Sequence, residues 1–483
     1  MNKEIKRVSI IVLCMFLALF VSTSIIQVGM ADTLNADARN SRTLYDSYQV
    51  QRGSILVGGQ PVAQSVPSSD QYNYQRQYPQ GPLYSSVTGF FPISGAPTGI
   101  EGAMNSELSG TSNDDFFDQL QNLVTGKHPQ GNSVELTIDP VAQKAAYDAL
   151  GSQRGSVVLL QPKTGRILAM VSKPDFDPNT LAVHDVKQVD ATYQQLLAAD
   201  GNPLLNKTIN ELNPPGSTFK PVVLSAALES GDYTLDSQMP NPSSLTLPGT
   251  STKIFNDSLS TCGPGDTVSL ETALVLSCNI PYAELAMKLG SNAIKAQAEK
   301  YGFNQSITVP MHTSASQYPG YGSLDKVAMS GFGQTEDKAT ALQMAMNAAA
   351  ISNGGMVMKP SLVESVLTPD LQARESFKAT QLGRATSEQT ADLIAQTMVK
   401  DVSEGVASNA RIDGVKVGGK TGTAQNGSRD PYTLWFTGFA PANDPQFAVA
   451  VVVDNGGGLG QSGNGNSVAA PIAKKVLEAV LGK

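Results

Sequence analysis

Ser217-Thr218-Phe219-Lys220 sets a lysine three residues after a serine. On a helix two such side chains share a face, one turn apart. A serine hydroxyl at its ordinary pKa is a poor nucleophile and needs a neighbouring base. Burial lowers the pKa of a lysine, so a desolvated Lys220 can act as a neutral base. The pair suits acyl transfer through a serine ester. Two further strings suit the same chemistry. In Ser277-Cys278-Asn279 a hydroxyl can relay a proton, and an amide can donate and accept toward a peptide. In Lys420-Thr421-Gly422-Thr423 a cation and two hydroxyls suit a substrate carboxylate. Backbone N–H groups of Ser217 and Thr423 would form an oxyanion hole. The candidate catalytic residues are Ser217, Lys220, Ser277, Asn279 and Lys420; Thr421, Gly422 and Thr423 are candidates for substrate binding. Taken singly, the first string also fits a capping serine with a surface lysine, and the second a polar helix-end turn.

The flanking sequence indicates the elements that must hold these groups. Pro214-Pro215-Gly216 cannot continue a helix, whereas Phe219, Val222, Val223, Ala226 and Ala227 recur at helical spacing. Ser217 is therefore expected at or near a helix N-terminus, where unpaired N–H groups favour developing negative charge. Leu270 to Leu276 reads as a helix, with the second string in a short loop after it. Val415 to Gly419 alternates like an edge strand lining a cleft. Lys163-Thr164-Gly165 also spells Lys-Thr-Gly, but it joins two apolar runs, Val157–Leu160 and Ile167–Met170. It reads as a hairpin turn and lies outside the order of the other strings.

The remaining composition excludes several classes. The chain has 483 residues, 41% hydrophobic, with a net charge of −8. That is globular and long enough for two or more domains. No basic stripe suggests nucleic acid. The 3 histidines, His128, His184 and His312, lack metal-ligand spacing, and no Gly-x-Ser-x-Gly elbow appears. No metal or cofactor is expected, and a serine–lysine pair needs no histidine. Val8 to Met30 is nearly all apolar or small and uncharged, preceded by Lys3, Lys6 and Arg7. It is about the length that a bilayer core of roughly 20 residues requires. A single-pass anchor follows, with residues 1–7 in the cytoplasm and the bulk of the chain outside; a cleaved signal peptide is the rival. Of the 3 cysteines, Cys262 and Cys278 would then lie in an oxidising compartment. A Cys262–Cys278 disulfide is expected, the alternative being two buried thiols.

Residues 31–133 are polar, with little periodicity, and read as a membrane-proximal module; a linker or turn is expected over 126–132. Residues 134–483 read as one domain, with early strands, a helical middle and late strands completing a single sheet. The Gly-rich stretch Asn455–Asn466 reads as a mobile loop.

The three strings in this order resemble the motif set of the penicillin-binding proteins. Val157–Ser172 resembles the paired strands opening that family's transpeptidase domain, and Pro174-Asp175-Phe176-Asp177-Pro178-Asn179 the loop after them. Pro214–Pro221, Asn353-Gly354-Gly355 with Pro360, and Trp435–Pro441 are similar to further family segments. Arg52-Gly53-Ser54-Ile55 and Gly99-Ile100-Glu101-Gly102 resemble the membrane-proximal module of class B members. Ser-Cys-Asn and the short module look most like the penicillin-binding protein A type. Cys278 departs from the serine or aspartate of many relatives, and Thr340-Ala341-Leu342-Gln343 from their Thr-Pro-Leu-Gln.

The resemblance implies an α/β (α+β) fold of the serine β-lactamase kind, an antiparallel sheet flanked by helices with a helical subdomain. It implies a D,D-transpeptidase that cross-links peptidoglycan stem peptides and is acylated by β-lactams at Ser217. About 100 residues between membrane and catalytic domain leave no room for a glycosyltransferase domain, so a separate membrane glycosyltransferase is the expected partner. The alternatives are a carboxypeptidase or β-lactamase, in which water takes the acyl group, and a non-enzymatic scaffold or β-lactam sensor.

Overall fold

A computed structural model of the chain describes residues 2–30, 34, 48–112 and 130–483. His128 and residues 126–129 of the expected linker lie outside the described residues. The chain begins with α1 (Asn2–Ser24), followed by β1 (Ile55–Val57), β2 (Gln60–Pro67), β3 (Tyr74–Gln77) and β4 (Ser133–Leu136). Next come α2 (Pro140–Leu150), β5 (Gly155–Leu160) and β6 (Ile167–Lys173). The helical middle contains α3 (Lys220–Ser230), α4 (Leu270–Val275), α5 (Asn279–Leu289) and α6 (Ala341–Ser352). The last part contains β7 (Val363–Leu367), β8 (Ala373–Ser376), α7 (Glu388–Ser403), β9 (Gly418–Ala424), β10 (Thr433–Ala440), β11 (Phe447–Val453) and α8 (Ala469–Leu481).

Five antiparallel strands form the central sheet in the order β9-β10-β11-β5-β6. Both ends of the domain therefore complete one sheet. Side chains alternate between its faces. Val158, Leu160, Met170, Trp435 and Val452 join one core with α3 and α6. Val157, Leu159, Val171, Phe436 and Val451 join the other with α2 and α8. Helices cover both faces, which explains why Val449 to Val453 is an unbroken apolar run.

A second sheet runs β8-β7-β4-β1-β2-β3. Its strands come from the N-terminal module and from residues 363–376, far along the chain. β1 and β4 pair in parallel, Ile55 with Val134 and Val57 with Leu136. The expected boundary at 133/134 thus falls inside a strand. Residues 55–77 also contain more strand than their weak periodicity suggested. Under this sheet, Glu101 is fully buried and takes Arg52 Nε and Arg76 Nε, each at 2.6 Å. Two guanidiniums on one carboxylate satisfy a charge that would be costly to bury alone.

Candidate active site

The nucleophile string sits where the turn and the sheet meet. Pro214 and Pro215 end the preceding chain, and Gly216–Phe219 makes a single 3-10 turn that leads into α3. Gly216 holds φ +55°, and a β-carbon there would meet the Thr423 carbonyl group at 3.3 Å. Glycine tolerates that conformation and that approach. The turn is pinned further by Trp435 Nε1 of β10, which donates to Pro214 O at 2.9 Å. Ser217 is almost wholly buried, and Lys220, at the start of α3, is fully buried.

The second string follows α4. Ser277 adopts φ +56°, rare for a residue with a side chain, and α5 begins at Asn279. Pro281 lies in the first turn of α5, where its missing N–H costs nothing. Among the described residues, Lys220 Nζ makes its hydrogen bonds to this string alone. It donates to Ser277 O at 2.7 Å, Ser277 Oγ at 3.4 Å and Asn279 Oδ1 at 2.9 Å. Burial pushes the Lys220 pKa well below the usual lysine value. The nearby Lys420 charge adds to that effect, while Asp257 and Asp401 oppose it.

The third string lies on β9, the edge strand of the central sheet. Lys420 is fully buried, and its Nζ stands 3.1 Å from Asp401 Oδ2, also fully buried. Burial raises the Asp401 pKa, and Lys420 partly offsets this. Thr421, Gly422 and Thr423 line a cleft of about 370 Å³ together with Ser217, Ser277 and Cys278. Asn279 reaches this constellation through Lys220 and a neighbouring loop. Its Nδ2 donates to Phe255 O at 3.1 Å and Asp257 Oδ1 at 3.2 Å. The eight candidate residues are thus brought together at one site.

Cys262 and Cys278 are joined by a disulfide, with their Cα atoms 5.9 Å apart. It ties the loop after Asn256 to the second string. The second Lys-Thr-Gly stays apart, in the β5–β6 turn, where Lys163 Nζ meets Asp444 Oδ1 at 2.7 Å. His184 pairs with Asp70, away from the cleft, and no metal-binding cluster occurs among the described residues. A larger cavity, of about 440 Å³, lies between residues 85–103 and 203–210 and contains none of the strings.

Sequence reasoning missed several contributors. Asp401 shares the buried face of α7 with Ile394, Met398 and Val402. An aspartate on an apolar face was the readable signal. Asn256 Oδ1 caps α5 by accepting from Asn279 N at 2.9 Å and Ile280 N at 3.1 Å. The Gly-rich stretch expected as a loop folds over β9, where Gly465 N donates to Thr423 Oγ1 at 3.2 Å. Asn464, Gly465 and Asn466 line the cleft.

The family description "Penicillin binding protein transpeptidase domain" matches residues 155–478, and "Penicillin binding protein A dimerisation domain" matches residues 52–134. The chain is 38% identical to peptidoglycan D,D-transpeptidase PbpA of Mycolicibacterium smegmatis, covering 100% of this chain and 99% of the relative. It is 37% identical to the PbpA of Mycobacterium tuberculosis over 100% of this chain and 99% of that one. The structure of penicillin-binding protein A from M. tuberculosis as a ceftriaxone acyl-enzyme superposes with a TM-score of 0.86 at 36% identity, covering 90% of this chain and 100% of that one. A penicillin G acyl-enzyme of the same protein gives a TM-score of 0.84 at 36% identity, over 89% of this chain and 100% of that one. With its antiparallel sheet, flanking helices and full-length similarity, the chain belongs to the class B penicillin-binding proteins of the PbpA type.

Proposed function

We propose that this chain is a peptidoglycan D,D-transpeptidase working through an acyl-enzyme on Ser217. The observation that carries the reading is the buried Lys220, one turn beyond Ser217 and hydrogen-bonded to Ser277 and Asn279. Neutral Lys220 takes the Oγ proton of Ser217. The freed electron pair attacks the carbonyl carbon of the penultimate D-alanine of a stem peptide. Backbone N–H groups of Ser217 and Thr423 hold the oxyanion as it develops. As the intermediate collapses, the C–N bond breaks and Ser277 relays a proton to the departing D-alanine. Asn279 positions the donor peptide. Thr421 and Thr423 receive its terminal carboxylate, with Gly422 allowing close approach and Lys420 supplying positive charge from below. An amine of a neighbouring stem then attacks the ester and restores Ser217. β-Lactams enter the same path and acylate Ser217.

The apolar helix, whose candidate span runs Lys3–Gly29, anchors the chain in the plasma membrane. Lys3, Lys6 and Arg7 keep its start in the cytoplasm, so residues 31–483 stand outside. Residues 31–133 form the membrane-proximal module and 134–483 the catalytic domain. Glycan polymerisation falls to a separate membrane glycosyltransferase, and the cross-linking serves wall synthesis in growth or division. The Cys262–Cys278 bridge restrains the second string.

The test is acylation of the soluble part by a fluorescent penicillin, read by intact mass. A single stable adduct that Ser217→Ala abolishes is expected. Rapid turnover of the drug would favour a hydrolase, and a folded protein without adduct would favour a scaffold.

A further inference from the structure

Two lysines are buried at this site, and their surroundings differ. Among the described residues, the hydrogen bonds of Lys220 Nζ go to a carbonyl, a hydroxyl and an amide oxygen, all neutral. Lys420 Nζ instead faces the carboxylate of Asp401 at 3.1 Å, with both side chains fully buried. Asp401 is itself fixed, since its Oδ1 accepts from Ala407 N at 2.9 Å. The same turn places Val406 in the wall of the cleft and joins Val406 N to Val275 O of α4 at 3.3 Å. A buried cation without a counter-charge sheds its proton, whereas a paired one keeps it.

We propose that Asp401 is a positioning residue that holds the site's positive charge on Lys420 and so leaves Lys220 neutral to take the proton of Ser217. This rests on Lys220 being the base for Ser217. Asp401 exchanges no proton in the step. The proton moves from Ser217 Oγ to Lys220 Nζ while the oxygen's electron pair forms the acyl bond. The charged and titratable groups facing the lysines are few. Asp257, from the loop after Lys253, exerts an attraction on Lys220, and Asp401 a weaker one. The Tyr282 ring of α5 lies 5.6 Å from Lys220 Nζ. The repulsion from Lys420 is the strongest of the charge effects on Lys220.

The experiment is the second-order rate of penicillin acylation against pH, by intact mass, for the wild type, Asp401→Asn and Asp401→Glu. In Asp401→Asn, Lys420 loses its counter-charge, so the site's positive charge is no longer held there. The repulsion on Lys220 then disappears, and Lys220 keeps its proton to higher pH. The acid limb is expected to move up by about one pH unit or more, with Asp401→Glu restoring it. An unmoved limb with a uniformly lower rate would make Asp401 merely structural and overturn the proposal. A limb moved to lower pH would also overturn it, since Asp401 would then act directly on Lys220. A wild-type profile with no acid limb would overturn the Lys220 base assignment itself, which separates the two failures. If Asp401→Asn does not fold, the side-chain 13Cε shifts of lysine-labelled wild type decide, assigned with Lys220→Arg and Lys420→Arg. Lys420 charged and Lys220 neutral near pH 7 supports the proposal; the reverse overturns it.

Discussion

With Lys220 as the proposed base, pH acts on the chemistry through that residue. Burial lowers its pKa, and the neutral form that the proposed step needs is lost as pH falls through that lowered value. The acid limb of penicillin acylation is therefore expected well below the ordinary lysine range, and a stopped-flow pH profile checks it. Lys220→Arg keeps a permanent charge and removes the base; acylation should fall by about 10²–10⁴-fold, the usual worth of a general base. A loss smaller than tenfold would move the base elsewhere. The eight residues were legible as candidates because their types and short spacings limit the chemistry they can do. Asp401 was not, because only the fold brings α7 behind β9. Asp257 and Asn256 were hidden likewise, since their contacts with Asn279 cross from a loop to a helix start.

At the scale of the element, the nucleophile turn depends on its left-handed glycine. Gly216→Ala would force a β-carbon to 3.3 Å from the Thr423 carbonyl group at φ +55°. The backbone conformation alone costs about 1–2 kcal/mol. Acylation should fall more than tenfold while most of the fold persists, as circular dichroism beside acylation kinetics would show. The disulfide closes a sequence separation of 16. Closing a loop of that size is worth about 3 kcal/mol in the chain-entropy account. Reduction should speed hydrogen exchange across Thr261–Leu289 and slow acylation, with exchange in the central sheet unchanged. Equal exchange in both redox states would remove the bridge from any role in holding Ser277. The sequence made α3 legible through the helical spacing of Phe219 to Ala227, and β9 through the alternation of Val415 to Gly419. The stretch 455–466 read as a mobile loop because its glycines carry no period. Its seat is set by Gly465 lying on Gly422, a tertiary contact that leaves no local mark.

For the whole molecule, the unexpected feature is the six-stranded sheet. Sequence reading placed a boundary at 133/134, because composition changes there. The pairing of β4 with both β1 and β7 joins segments separated by hundreds of residues, and no local pattern announces it. Ile55, Val57, Val62, Ile100 and Leu108 belong to the same core as Val134, Leu136 and Val158. A fragment of residues 134–483 would expose that core and the bare edge of β4. It should aggregate on size exclusion, whereas residues 48–483 should elute as a defined species. A monodisperse, penicillin-reactive 134–483 fragment would refute this.

The parallel register of β1 on β4 also has a mechanical meaning. Tension arriving from an N-terminal anchor pulls β1 at its Ile55 end, while β4 continues into the catalytic domain from its Leu136 end. Parallel neighbours pulled at opposite ends are loaded in shear, so the bridging hydrogen bonds resist together instead of opening one after another. Tension between the N-terminal helix and the catalytic domain is thus shared along the whole β1–β4 ladder.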